Sequence, residues 1–181
     1  SEIEILMPIL LNFIKLMNKK YDDFLYVFHS TETIRPKLEK YLKQITPNNC
    51  QVISDEKIKN HILEKSVFAV AKSGTISLEI ANKKIPSIII YKMNFINFMI
   101  VKALVKIRFA NIINIAANKM IIPELLQSKC NSEEIFKSVT YFIENSAYMD
   151  DQVKATQEIL NDFKTNSSPS ELIADFLKSH V

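Results

Sequence analysis

The sequence predicts an α/β fold, a Rossmann-like doubly wound parallel sheet with a helical C-terminal tail. Short, almost entirely apolar segments alternate along the chain with segments of helical periodicity. Strands that are apolar on both faces are typical of a parallel sheet covered by helices on both sides. The chain has 181 residues, of which 48% are apolar, so it is long enough for one domain with a substantial core.

The first half of the chain supplies three helices and two strands. Apolar residues recur every three to four positions over 3–18, which predicts an amphipathic helix. Pro36 suits the first turn of a helix running to residue 45, and Asp55 can cap a helix running to residue 65. Two short runs rich in aromatic and β-branched residues, 24–28 and 51–53, are predicted strands.

The second half continues the alternation and ends in helices. Its predicted elements are strand 67–71, helix 76–82, strand 87–91, an amphipathic segment 94–106, a fifth strand 110–115, a helix starting at Pro123, and helices 132–145, 148–164 and 169–179. We therefore expect a Rossmann-like domain over 1–145. Residues 146–181 should form a tail that packs on this domain or on a second one.

The composition excludes several classes of site. A net charge of +3 does not demand a nucleic-acid partner, and we expect none. The two cysteines, Cys50 and Cys130, stand apart from each other and from the three scattered histidines, so we expect free thiols and neither a metal nor a cofactor. The richest apolar stretch, 93–101, lies between two lysines and is shorter than the roughly 18 residues that span a bilayer.

Gly74 is the single glycine of the chain, and it lies in the turn Ser73-Gly74-Thr75 between a predicted strand and a predicted helix. Ligands of doubly wound sheets bind at the carboxyl ends of the strands. Glycine lets the backbone approach a ligand closely, and the free amides of a helix's first turn favour a phosphate. Thr75 can cap that helix or donate its hydroxyl.

Glu79 lies one helical turn after Thr75 on the same face of the helix. A carboxylate there can accept hydrogen bonds from a ribose diol, so turn and carboxylate together describe a site for a nucleoside diphosphate. The spacing alone leaves a plainer alternative open, in which the turn is only a helix start and Glu79 a solvated residue.

Seven motifs over residues 65–130 occur together in one enzyme family. They are Ser73-Gly74-Thr75, Leu78-Glu79, Pro86, Tyr91-Lys92-Met93, Leu104-Val105-Lys106, Asn114 and Glu124-Leu125-Leu126-Gln127. In this order they resemble the lipid-A-disaccharide synthases, which are GT-B glycosyltransferases, and the resemblance is looser over the rest of the chain. Two positions depart from the family pattern: Ile113 stands where the family has proline, and Asn118 stands where it has glycine.

The resemblance implies roles for particular residues. The turn at 73–75 would line the diphosphate and Glu79 would bind the ribose, while Asn114, Glu124 and Gln127 would approach the donor sugar or phosphate. Two alternatives stay open: Asn114 as a turn residue bonded to its own backbone, and Glu124 with Gln127 on the solvated face of a helix.

In the same family, the loop after the second predicted strand, residues 54–55, would hold the nucleotide base. The resemblance implies an inverting transfer of 2,3-diacylglucosamine from UDP to 2,3-diacylglucosamine 1-phosphate, in lipid A biosynthesis. It also implies that a glycine-serine-arginine turn and a strand precede Ser1, and that the catalytic Asp and the acceptor site lie in a separate N-terminal half-domain. We therefore expect no catalytic base here, an inactive isolated chain and an unpaired sheet centre.

Residues 93–109 combine aromatic and aliphatic residues with four cations if Lys92 is included. Such a segment can lie on an anionic membrane surface, here the inner face of the bacterial inner membrane, or can simply pack as a core helix with exposed cations. A homodimer also stays open. Rival functions are a MurG-like N-acetylglucosaminyltransferase, a sugar epimerase, or a non-catalytic membrane-associated domain.

Overall fold

The computed structural model describes residues 2–43, 49–93 and 108–162. The predicted amphipathic segment 94–106 and the predicted helix 169–179 lie outside the described residues. The helices are α1 (Glu2–Met17), α2 (Arg35–Leu42), α3 (Glu56–Lys65), α4 (Thr75–Asn82), α5 (Ile112–Ala117), α6 (Ser132–Glu144) and α7 (Ser146–Asp162). The strands are β1 (Tyr26–His29), β2 (Cys50–Ile53), β3 (Ala69–Ala71), β4 (Ser87–Tyr91) and β5 (Glu124–Leu126).

All strand pairs in the described residues are parallel, as the sequence predicts. β1 pairs with β2, and β3, β4 and β5 follow one another in a second sheet. The α/β class with parallel strands is therefore confirmed. The described strands form two separate hydrogen-bonded sheets, because none of the outer strands β1, β2, β3 and β5 pairs with a strand of the other sheet.

β4 is the centre of the larger sheet and explains why its sequence is apolar without alternation. Ile88 and Ile90 face one hydrophobic cluster, which includes residues of α1 and α6, and Ile89 faces another, which includes residues of α4 and α5. These three side chains are between 0 and 2% exposed. Both faces of the sheet are thus covered by helices, as in other doubly wound folds.

Helix α1 packs where the two sheets meet. Phe13 and Ile14 lie in the cluster of β4 and α6, against which Tyr26 of β1 also packs. Met7 and Leu11 form a third cluster with Leu38 of α2, and Phe28 and Val52 of the smaller sheet pack against it. One amphipathic helix thus contributes to the cores of both sheets.

Two predicted elements are exchanged in the structure. The run predicted as a fifth strand, 110–115, overlaps helix α5, and strand β5 lies where a helix is predicted from Pro123. The Asn111 side chain caps α5 by accepting a hydrogen bond from the Ile113 amide at 2.9 Å. β5 pairs with β4 and buries Leu125. The cap at Asn111 and the pairing of β5 with β4 therefore outweigh the preference of the β-branched residues in 110–115 for a strand.

Helix α7 packs on the larger sheet's domain. Its buried Gln152 accepts a hydrogen bond from the Ser87 amide at 2.8 Å and donates to the Ser87 carbonyl at 3.0 Å, and Leu160 enters the cluster around Ile89. The start and end of α6 and α7 agree closely with the predicted helices. The division into a domain 1–145 and a tail 146–181 stays a prediction.

Both cysteines carry free thiols, as expected. Cys130 is fully buried and Cys50 is partly buried, and burial raises the pKa of each thiol above its usual value. In the described residues, no helix combines the length and apolar character needed to cross a membrane.

Candidate functional site

The turn Ser73-Gly74-Thr75 directly follows β3 at the carboxyl edge of the larger sheet. Gly74 has φ of 149° and ψ of −168°, a conformation that only glycine adopts without strain. A Cβ built on Gly74 would have no atom within 4 Å. Glycine is therefore required by the backbone conformation and not by crowding, and the open space beside it lets another molecule approach the main chain.

Helix α4 begins at this turn without a side-chain cap. Gly74 occupies the cap position, whereas α3 begins with Asp55, whose carboxylate accepts hydrogen bonds from the amides of Lys57 and Ile58 at 2.8 and 2.9 Å. Thr75 is the first helical residue, so of the two roles open to it from the sequence the structure excludes capping of α4 and leaves donation of its hydroxyl. Its exposed hydroxyl stands beside first-turn amides that an anion can bind.

Ser73 ties this turn to the chain that precedes α5. Its hydroxyl donates a hydrogen bond of 2.7 Å to the carbonyl of Ala110. The proton of that hydroxyl is thus committed to the protein, while the oxygen keeps lone pairs that can accept.

Glu79 lies one turn into α4 with a partly exposed side chain. Both of its carboxylate oxygens lie 2.9 Å from the Nζ of Lys59 on α3. The carboxylate is therefore ion-paired on one side, and its remaining lone pairs can accept hydrogen bonds from a ligand.

Asn114 and Glu124 form a buried polar cluster. Glu124 accepts hydrogen bonds from the amides of Ala110 and Asn111 at 2.7 and 2.9 Å and from the side chain of Asn114 at 2.8 Å. Asn114 also donates to the Ile122 carbonyl and accepts from the amides before β5. Their exposed fractions are 0% for Asn114 and 8% for Glu124, so the solvated-face alternative for Glu124 is wrong.

Ala110 connects this cluster to the turn at Gly74 by hydrogen bonds. Glu124 holds the Ala110 amide, and the Ala110 carbonyl accepts the Ser73 hydroxyl. The position of the Ser73 side chain therefore depends on a carboxylate that is itself buried behind the site.

Gln127 lies at the carboxyl end of β5, on the same edge of the sheet as Ser73. It is partly exposed and has a φ of 53°, a left-handed conformation that is uncommon for a residue with a side chain. Residues held in such conformations often cluster at functional sites. Gln127 is therefore placed, with the turn at 73–75, along one edge of three parallel strands.

Two lysines at this edge are not among the site residues that the sequence predicts. Lys72 directly precedes Ser73, pairs with Glu2 of α1 and lies 5.8 Å from the centre of the Tyr91 ring. Lys92 follows β4 and donates to the Cys130 carbonyl at 3.3 Å. Both cations add positive potential where the first-turn amides of α4 already favour an anion. In the sequence, the signal that could have identified them is their position directly after two predicted parallel strands.

At the amino ends of the strands, the described residues form a depression lined by Lys84, Ser87, Gln152 and Thr156, away from Gly74. Gln152 is already bonded to the Ser87 backbone there. Across the described part of the chain, no group of three or more acidic, histidine or cysteine side chains is arranged to hold a metal ion.

Comparison with known proteins decides the family. The profile described as lipid-A-disaccharide synthetase matches residues 1–175, nearly the whole chain. The chain belongs to the lipid-A-disaccharide synthetase family. Lipid-A-disaccharide synthases of Rickettsia typhi and Rickettsia prowazekii are each 33% identical to it over 177 residues, which cover 95% of this chain and 45% of either relative. The lipid-A-disaccharide synthase of a Sulfurihydrogenibium species is 35% identical over 155 residues, 79% of this chain and 39% of that protein.

Membership in the lipid-A-disaccharide synthetase family confirms the resemblance drawn from the motifs at 73–127. The chain spans less than half the length of the curated relatives it matches. The family assignment favours a role in lipid A biosynthesis over the two rival functions, a MurG-like N-acetylglucosaminyltransferase and a sugar epimerase. It does not by itself assign a ligand to any residue of the turn at Gly74.

Proposed function

We propose that this chain is the donor-binding part of a lipid-A-disaccharide synthase, an inverting glycosyltransferase of lipid A biosynthesis. The observation that carries the proposal is the geometry of Gly74. A glycine-only conformation, open space and an uncapped helix start coincide at the carboxyl edge of a parallel sheet, one turn before Glu79. This combination suits a nucleoside diphosphate, with phosphate oxygens on the amides and the ribose diol on the carboxylate.

The proposed donor is UDP-2,3-diacylglucosamine and the proposed acceptor is 2,3-diacylglucosamine 1-phosphate. The diphosphate would bind at 73–75, near the cations of Lys72 and Lys92, and the base would lie at the loop 54–55 beyond β2. Stabilising the departing UDP by these donors lowers the barrier to glycosyl transfer. In this proposal, the base that deprotonates the acceptor hydroxyl, and the acceptor site, belong to a separate N-terminal half-domain, so this chain alone does not turn over substrate.

The roles of Asn114, Glu124 and Gln127 are also proposals. The burial of the first two supports indirect roles, in which they hold the backbone at Ala110 and thereby Ser73. Gln127 is partly exposed at the same edge, whereas the other two are buried, so we assign it the direct contact with the donor.

Calorimetric titration with UDP tests the proposal. The chain should bind UDP, and Glu79→Ala should lower the affinity about tenfold or more, because the ribose hydroxyls lose a charged acceptor. Glu64→Ala is a matched control: Glu64 also bridges α3 to the α4 region, through Lys83 at 3.0 Å, but points to solvent. Equal affinities of Glu79→Ala and the unaltered chain, or no binding at all, would favour a non-catalytic domain.

We further propose that residues 93–109 bring the enzyme to the inner face of the inner membrane. The support is compositional: Phe95, Phe98 and neighbouring aliphatic residues alternate with cations, and the proposed substrates are acylated. Replacing Phe95 and Phe98 by alanine should reduce co-sedimentation with vesicles that contain anionic lipid. The same fraction bound before and after the change would contradict membrane contact through this segment.

A further inference from the structure

Lys59 is a buried lysine on a helix whose sequence looks solvent-exposed. It is 8% exposed, and among the described residues only Glu124 is a second charged residue in the buried class. A lysine is seldom buried unless its charge is paired, because removing an ammonium group from water is costly. The pairing partners of Lys59 therefore explain its position.

Both partners are carboxylates. The Nζ of Lys59 lies 2.9 Å from both carboxylate oxygens of Glu79 and 2.5 Å from Glu56 at the start of α3. Hydrogen bonds with Glu56 and then Glu79 raise the pKa of Lys59 above its usual value, so the side chain remains charged. Glu56 in turn lies 3.5 Å from the Nε2 of His29, the last residue of β1.

These contacts form a line from the carboxyl edge of the smaller sheet to helix α4. They join the loop beside β2 to the carboxylate beside the turn at Gly74. In the proposed site, the base would lie at one end of this line and the diphosphate at the other. The ribose joins the base to the diphosphate, so in the proposed site the residue between the two ends is Glu79, which Lys59 contacts.

We propose that Lys59 is a positioning residue that holds Glu79 for the ribose diol. This inference rests on the proposed function. Lys59 contacts both oxygens of Glu79 and so fixes the plane of the carboxylate, whose free lone pairs then face the ligand. Lys59 also neutralises Glu79, which lets a negatively charged diphosphate bind one helical turn away. Lys59 itself does not touch the nucleotide.

The neighbouring bridge between Glu64 and Lys83 provides the comparison that separates positioning from simple cross-linking. It spans the same two parts of the structure over 3.0 Å, and Glu64 is largely exposed. If Lys59 serves only to tie α3 to α4, removing Lys83 and removing Lys59 should affect nucleotide binding alike. A positioning role predicts an effect of Lys59 alone, and on the ribose part of the ligand.

The experiment measures the affinity of the 181-residue chain for UDP and for 2′-deoxy-UDP by calorimetry. The unaltered chain should prefer UDP by about tenfold, the loss expected when a charged acceptor loses one hydroxyl donor. Lys59→Met should reduce this preference to about twofold or less, since the carboxylate is no longer held in place. Lys83→Met should keep the preference, and Lys59→Arg, which retains the charge, should restore most of it.

The outcomes distinguish the inference from the proposed function. If the unaltered chain does not bind UDP, both fail. If Glu79→Ala removes the preference for UDP but Lys59→Met retains it, the site stands and the role of Lys59 is refuted. Circular dichroism checks that Lys59→Met is folded; if it is not, Lys59→Gln, which keeps a hydrogen-bond donor without the charge, takes its place and should lose the preference as well.

Discussion

Replacing Gly74 by alanine is expected to weaken UDP binding by about tenfold to a hundredfold. At φ of 149° and ψ of −168°, a residue with a Cβ is strained by about 1–3 kcal/mol. The turn relaxes by rotating out of this conformation, which points the first amides of α4 away from a bound phosphate. Returning to the binding conformation costs the same energy, and each 1.4 kcal/mol corresponds to about tenfold in affinity. Calorimetry with UDP measures the loss.

A control of similar stability separates this effect from general loosening of the fold. Ile135→Val removes one methyl group from a fully buried position in α6, far along the chain from the turn, and should cost about 1 kcal/mol. It should leave UDP affinity unchanged. Because the space beside Gly74 is open, no steric clash complicates the alanine variant. Wild-type affinity in Gly74→Ala would refute the assignment of the turn to the diphosphate.

The largest loss of stability is expected from Glu124→Ala. The variant removes a buried carboxylate that accepts three hydrogen bonds, and it leaves the amides of Ala110 and Asn111 and the side chain of Asn114 short of an acceptor. Unsatisfied buried donors and lost charge-assisted bonds together should lower the free energy of unfolding by about 3 kcal/mol or more. Urea denaturation, followed by circular dichroism, measures the change.

Two further variants sharpen this test. Asn114→Asp keeps the size of the side chain but places a second carboxylate against Glu124 and against the Ile122 carbonyl, so it should also destabilise the fold. Glu144→Ala removes an exposed carboxylate that binds Lys20 and Tyr21, and should have little effect because solvent screens such pairs. If Glu124→Ala were as stable as Glu144→Ala, the cluster would not hold the chain before α5.

The local features of the site could be predicted from sequence, because each depends on neighbours along the chain. A single glycine between an apolar run and a helix marks the turn at Gly74, and four residues along a helix place Glu79 on the same face. The sequence predicts Asp55 as a helix cap, and the structure confirms it. These inferences needed no knowledge of distant contacts.

The exchange of α5 and β5 could not be predicted in this way. The isoleucines of 112–115 favour a strand by composition, and Glu124 in an apolar run looks like a helix surface residue. The outcome is decided by contacts between segments: Glu124 accepts from amides 13 and 14 positions earlier, and β5 pairs with β4. Pattern within one window carries no information about either contact.

Lys59 illustrates the same limit for the site. It lies among charged and polar residues of α3, where a lysine is ordinarily solvated, and its partner Glu79 is 20 positions away. Only the packing of α3 against α4 shows that the two side chains meet. Lys72, by contrast, is adjacent to Ser73 and was visible in the sequence.

The division of the strands into two sheets affects how this chain meets other polypeptides. The outer strands β1, β2, β3 and β5 each have one side on which no described strand pairs. The main-chain groups along such a border can accept an extended segment by backbone hydrogen bonding, largely regardless of its side chains. We therefore expect such a border to be a place where an extended segment of another polypeptide, including a second copy of this chain, can add to the sheet.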